Sequence, residues 1–338
     1  PPPIENQDRR QERSPTWVKC TLFALHSSTR MSLHRIITFG TIASIMMLSL
    51  ATVASARQAG TKLQDQKLAE KITQSTTIDP TTKAEVAKFI ALSIEKLNSV
   101  DPSDVRRGRE MLVSSMTTQQ VNPAFRPMFA AMILPDLKKI ISSPSAFNAT
   151  NALEVVKSLQ CPDSIVLLAD QTVMKNQPNA SLRLVAAGGL ATLRTPIELT
   201  SGQADGVLKT ISSSAAKEAD WMVAAYDIQA LCTFSTSPKV PKASQAFART
   251  AFVATLRSIF LQIRKGTVNP EMIRAVNRSL AIYMRDQVPL ASQADVASVM
   301  KALEPTLKEI KSLPVPSEPD SLVEAYAQVN KTVGTIQK

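Results

Sequence analysis

The sequence predicts an all-α protein built of stacked helical hairpins, and three observations predict it. Composition is the first. Ala, Leu, Ser, Lys, Met and Gln abound, only eight glycines lie beyond residue 56, and no run alternates Val, Ile, Thr or Tyr at the period of two that a strand needs. The second is a recurring apolar stripe at helical spacing: Leu182, Val185, Ala186, Gly189, Leu190 and Leu193; Trp221, Ala224, Ala225, Ile228 and Cys232; Val105, Gly108, Leu112, Val113 and Met116, broken by Arg109. The third is the return of one helix-start signal, a capping side chain followed by proline, at Asp101-Pro102, Ser143-Pro144 and Asn269-Pro270, with Gln177-Pro178-Asn179 as a weaker version and a further start near Asp220. The spacing of these starts is close to 40 residues, the length of a stacked helix pair.

Taken in order, residues 1–30 are polar and basic, with Arg9, Arg10 and Arg13, and read as a spurious extension or a disordered leader. Residues 31–56 have the layout of a secretory signal peptide: His34 and Arg35, an uncharged run from Ile36, then Ala54-Ser55-Ala56 as a small-x-small cleavage site. The same 21 uncharged residues, 36 to 56, are long enough for one bilayer crossing, so a retained anchor is the alternative. Either way residues 57–338 are expected outside the cytoplasm, periplasmic or secreted, because the positive charge precedes the apolar run. Residues 57–84 read as a flexible polar stem and 85–312 as the helical-repeat domain. Leu313-Pro314-Val315-Pro316-Ser317-Glu318-Pro319 is a proline-rich linker that cannot propagate a helix, and 320–338 is a C-terminal helix with Leu322, Val323, Ala325, Tyr326, Val329, Val333 and Ile336 on one side. That helix either packs back or docks on a partner.

Between the capped helices lie others with apolar faces of their own, such as Phe129, Met132, Ile133, Leu137, Ile140 and Ile141, so each unit reads as helix, turn, helix. Here the chain resembles the HEAT-repeat family, of the armadillo/HEAT type, over roughly residues 85–285. The second helix of that family opens with a polar residue, proline, and then an aliphatic residue followed by arginine. The matching dipeptides are Val105-Arg106, Leu182-Arg183 and Ile273-Arg274, and the fullest match runs from Pro178 to Leu193. Phe147-Asn148 and Met222-Val223 depart from the pattern. The resemblance implies an α-solenoid of about five stacked hairpins, with a concave surface lined by the second helices. A non-repetitive helical bundle is the alternative architecture.

The residue types present beyond position 56 constrain the chemistry. Both histidines, His26 and His34, precede that point, so neither proton transfer nor metal ligation by histidine is open to the exported part. Cys161 and Cys232 lie among apolar residues and read as small buried hydrophobes in different layers of the stack, without a bridge and without a base to make a thiolate. Gly188-Gly189, the only glycine pair, lacks the following lysine of a phosphate loop and reads as close helix packing. Asp101, Asp104, Asp163 and Asp170 are too sparse for a calcium loop and read as helix caps or first-turn acids. No cofactor or metal is expected. Four Asn-x-Ser/Thr sequons, Asn148, Asn179, Asn277 and Asn330, would matter only in a glycosylating pathway.

The chain carries 39 Lys and Arg against 28 Asp and Glu; removing residues 1–56, with six and three of these, leaves 33 and 25, a net +8. That charge favours contact with polyanions. With aromatics at 4 %, the stacking platforms of nucleic-acid binding are missing, and sequence-specific nucleic acid is not expected as a partner. The sequence therefore supports an exported, non-catalytic helical-repeat protein that binds another protein or serves as a scaffold. Two alternatives stay open: a binder of anionic polymer or membrane surface, and a carboxylate-dependent hydrolase with two converging carboxyls, one of raised pKa. A membrane partner is expected only where residues 36–56 stay uncleaved. The residues expected at a partner or anion contact are Arg106, Arg107 and Arg109, the densest basic cluster, with Arg183 and Arg274 at the repeated position.

Overall fold

A computed structural model describes residues 68–77, 79–117, 121–193 and 197–336. The expected leader, export signal and first part of the stem lie outside the described residues. The described chain forms six hairpins: α1 (Pro80–Leu97) with α2 (Pro102–Thr117), α3 (Phe125–Ile141) with α4 (Ala146–Leu159), α5 (Pro162–Thr172) with α6 (Ala180–Ala191), α7 (Ser201–Ala215) with α8 (Trp221–Thr236), α9 (Lys242–Arg264) with α10 (Ile273–Ile282), and α11 (Gln293–Lys311) with α12 (Asp320–Ile336). A 3-10 turn, Pro270–Met272, leads into α10, and a π-helical turn, Tyr283–Gln287, comes after it.

Two layers result. Each first helix packs against its own second helix, the first helices α1, α3, α5, α7, α9 and α11 contact one another in series, and so do the second helices α2 through α12. That pattern is an α-solenoid, and no strand occurs among the described residues. Six hairpins stand where about five were expected, for two reasons. Asp79 caps α1, its carboxylate accepting from the backbone N–H of Thr81 and Thr82 ahead of Pro80, inside what read as stem. At the other end α12 crosses the proline-rich link and packs on both α10 and α11, so it is the second helix of a sixth unit. The stem also contributes to the core. Leu68 and Ile72 are buried, and Asn122 donates from its backbone N–H to Thr73 O and from Nδ2 to Gln74 O.

Hydrophobic burial between the layers holds the stack together. Phe125, Phe129, Phe252 and Phe260 are the largest fully buried side chains, with Phe125 and Phe129 stacked at 5.7 Å and Phe252 and Tyr283 at 5.0 Å. Helix starts obey local chemistry. Thr200 and Gln203 form a reciprocal capping box on α7, and Asp220 accepts from Met222 and Val223 N–H on α8. The cap of α4 is Ser145, two residues beyond the expected Ser143, because Pro144 sits ahead of the cap and not in the first turn.

The glycines also differ from expectation. Gly188 faces open space, and a Cβ on Gly189 would meet side chains, Leu168 at 3.3 Å and the Lys157 Cβ at 3.7 Å, with no backbone atom closer. The close approach is at Gly108, where a Cβ would lie 2.6 Å from both Leu97 N and Ser93 O, so α2 can cross α1 here only with hydrogen at this position. Cys161 and Cys232 are buried and unbridged.

Candidate functional site

The arginines at the repeated second-helix position all reach toward the start of the next second helix. Arg183 in α6 pairs with Glu218 just before α8, Nε to Oε2 at 2.7 Å and Nη2 to Oε1 at 2.9 Å. Its Nη1 donates to the carbonyls of Gln177 and Pro178, and Glu218 Oε1 also accepts from the N–H groups of Ala219 and Asp220. The Glu218 hydrogen bond pushes the guanidinium pKa further up, so this charge is permanent. Arg274 pairs with Glu271 in its own turn and donates to Ser321 O at the start of α12, 2.7 Å away. Arg106 in α2 lies over the Phe147 ring of α4, 5.8 Å from its centroid.

These three side chains are therefore inter-repeat staples. Arg183, expected at a partner or anion contact, is 4 % exposed and saturated by internal acceptors, so it presents nothing to a ligand. Arg109 pairs with the neighbouring Glu110 at 3.3 Å, Arg107 is half-buried, and Arg106 stays exposed on the rim of the ring it covers. In the units that depart from the pattern the role passes to other groups. Asn148 turns back and donates to Ser99 O in the preceding unit.

Two further arginines, invisible in the repeat pattern, clamp helix ends. Arg126, in the first turn of α3, donates to Met116 O at the end of α2 and to Ser158 O and Leu159 O at the end of α4; burial pulls its pKa down. Arg249 in α9 donates to Ser235 O of α8 and pairs with Asp295 of α11 at 2.8 Å. Each supplies charge-assisted donors to carbonyls that a helix C-terminus leaves over.

With these arginines assigned to the scaffold, the open stripe of the second-helix layer becomes legible. Residues spaced by three or four along one helix share a face. The exposed or half-buried ones are Arg106, Glu110 and Thr117 on α2, Phe147 and Glu154 on α4, Ser181, Val185 and Thr192 on α6, Met222, Tyr226, Gln229 and Thr233 on α8, and Arg274, Arg278 and Arg285 on α10 and its π turn. The stripe is uncharged across α6 and α8; beyond them Arg274 is paired with Glu271 and Arg285 with Asp286, and Arg278 has no ion-pair partner among the described residues. Arg278 lies 4.6 Å from the Tyr226 ring centroid, which joins the two regions. At the centre, the Gln229 Oε1 acceptor is shielded from water and has no hydrogen-bond partner among the described residues. Exposed Phe147 and Met222, at 40 % each, put large apolar side chains on the same stripe.

The carboxyl arrangement needed for hydrolysis has a counterpart, but it is sealed. Asp227 in α8 is fully buried, with no hydrogen-bond partner on either oxygen among the described residues. Burial is the main cause that drives its pKa far upward, Glu218 adds to it, and the Arg183 charge opposes it. The Glu218 side chain is 1 % exposed and fully bonded, so no substrate reaches either carboxyl. Burial raises the Cys161 and Cys232 thiols as well, away from the thiolate a nucleophile requires. Among the described residues no three His, Cys, Asp or Glu side chains gather as metal ligands. Three of the sequon asparagines are engaged: Asn148 with Ser99, Asn277 with Thr332, and Asn179 as the cap of α6.

No family model matches the sequence, and no curated protein matches it. Among solved structures the chain is similar to a designed armadillo repeat protein, YIII(Dq)4CqI, at 12 % identity, over 72 % of this chain and 99 % of that one, with a TM-score of 0.37.

Proposed function

We propose that this chain is an exported, non-catalytic helical-repeat protein that binds another protein along its second-helix face. The observation that carries the reading is the uncharged stripe of α6 and α8, with Met222 exposed and Tyr226 half-buried on it and exposed Arg278 beside it. Tyr, Met and Arg are the residue types enriched where proteins meet, and a row of stacked helices gives them a long surface without a deep pocket. Export is supported by the charge and apolar pattern of residues 31–56.

The test is site-specific photo-crosslinking in cells that make the protein. A crosslinker at Tyr226 captures one defined protein that survives high-salt washing, and a crosslinker at exposed Thr250 on α9, in the other layer, does not. Equal labelling from both positions overturns the proposal. Arg278 of α10 and the net +8 of residues 57–338 also support binding of anionic polymer, and in that case the Tyr226 adducts are heterogeneous and disappear as ionic strength rises.

A further inference from the structure

On the first-helix side, away from the stripe just described, the C-terminal ends of α5 and α7 border a cleft of about 720 Å³. α5 is short, 11 residues against 15 for α7, and the chain leaving it, Val173 to Lys175, forms one wall. The opposite wall is the last turns of α7 with Lys209, Thr210 and Ser213, closed by Lys217. This volume is typical of small-molecule sites.

Three lysines, Lys175, Lys209 and Lys217, line the cleft, all are exposed, and none has an ion-pair partner among the described residues. Lysines near helix ends commonly serve the leftover carbonyls. Here those carbonyls are already taken: Thr172 O accepts from Ser214 Oγ at 2.8 Å, Asp170 O from Val173 N, and Ser212 O and Ser214 O from the N–H groups of Ala216 and Lys217. The one acidic residue on the lining, Glu218, has its carboxylate committed to Arg183 and two backbone N–H groups. Asp227, fully buried, has its carboxyl pKa raised by that burial. The one carboxylate on the lining is thereby committed, and none is left there to pair with Lys175, Lys209 or Lys217.

The walls are not polar enough for a simple anion. Val173, the aliphatic stems of the lysines and Met174, 44 % exposed, present apolar surface beneath the ammonium groups. We propose that the α5/α7 cleft binds an anionic amphiphile, its phosphate or carboxylate head among Lys175, Lys209 and Lys217 and its aliphatic body against Val173 and Met174. This site is independent of the second-helix face, so either reading can fail alone.

The probe is dodecyl phosphate, below its micelle concentration, titrated calorimetrically into the full chain, with inorganic phosphate as a second titrant. Dodecyl phosphate is expected to bind one-to-one. K175E/K209E/K217E together weaken it at least tenfold with an unchanged circular-dichroism melt, and the milder K209Q weakens it severalfold. Met174→Ser weakens dodecyl phosphate severalfold and leaves inorganic phosphate unaffected. Flotation with phosphatidylglycerol vesicles identifies the source of the head group: co-flotation lost in the triple variant assigns it to a bilayer, and calorimetric binding without co-flotation assigns it to a free amphiphile. The proposal is overturned if neither probe nor vesicle binds, if the lysine variants bind like the wild type, or if inorganic phosphate binds as tightly as dodecyl phosphate.

Discussion

Arg183 and Glu218 are each less than about a twentieth exposed, so their pairing is a matter of not leaving a charge alone in the core more than of net attraction. Arg183→Met strands the Glu218 carboxylate, and the expected cost is about 3–5 kcal/mol in denaturant unfolding. Adding Glu218→Gln to that variant removes the stranded charge and restores a large part of the loss. A double variant no more stable than Arg183→Met would show that the geometry, and not the charge, matters. Asp227 carries the opposite sign. Its folded pKa lies far above its ordinary value, so the folded protein keeps a proton that the unfolded chain releases once the pH exceeds about 4. Stability is therefore lost as the pH rises through the window between the unfolded and folded pKa values. Asp227→Asn abolishes this loss: its melting temperature should match the wild type near pH 4 and exceed it increasingly toward pH 7. Parallel melting profiles across that range would contradict the assignment.

At the scale of the helix, the contact between α1 and α2 depends on one hydrogen atom. Gly108→Ala inserts a methyl group against backbone atoms of Leu97 and Ser93, which cannot swing aside as a side chain can. The expected destabilisation is about 1–3 kcal/mol, with hydrogen exchange of α1 and α2 accelerated before that of the remaining helices. Thr200→Ala removes half of the capping box of α7 and should cost about 1 kcal/mol, read as a lowered denaturant midpoint with an unchanged slope. The helices themselves were legible in the sequence because their apolar residues recur at offsets of three and four and because Asp220, Asn179, Asp101 and Asn269 cap locally, within three residues. Contacts that join distant residues were not. Glu218 is 35 positions from Arg183, and Met116 and Ser158 lie on two different helices that Arg126 joins, so no local pattern announces either clamp. The repeated arginine was visible as a motif, but its destination in the next unit was not, which is why a residue read as a ligand contact turned out to be a staple. Gly108 stood in the helical face from the start, yet only the approach of α1 distinguishes it from Gly189.

For the whole molecule, a solenoid and a globular bundle differ in how damage spreads. In a stack each hairpin contacts only its neighbours, so stability is a sum of unit and interface contributions and a lesion at one end stays near that end. α12 is the last second helix, and it buries Leu322, Tyr326, Val329 and Val333 against α10 and α11. Deleting residues 313–338 bares apolar surface of those two helices. It also removes the Ser321 carbonyl that Arg274 uses. Amide hydrogen exchange is the measurement that resolves the two architectures. Protection in α10 and α11 should fall steeply and that in α9 less, while α2, α4 and α6 keep theirs, because α12 packs on α10 and α11 and not on them. A uniform loss of protection along the chain would mean that the helices of the six hairpins share one cooperative core, and the nearest-neighbour description would have to be abandoned.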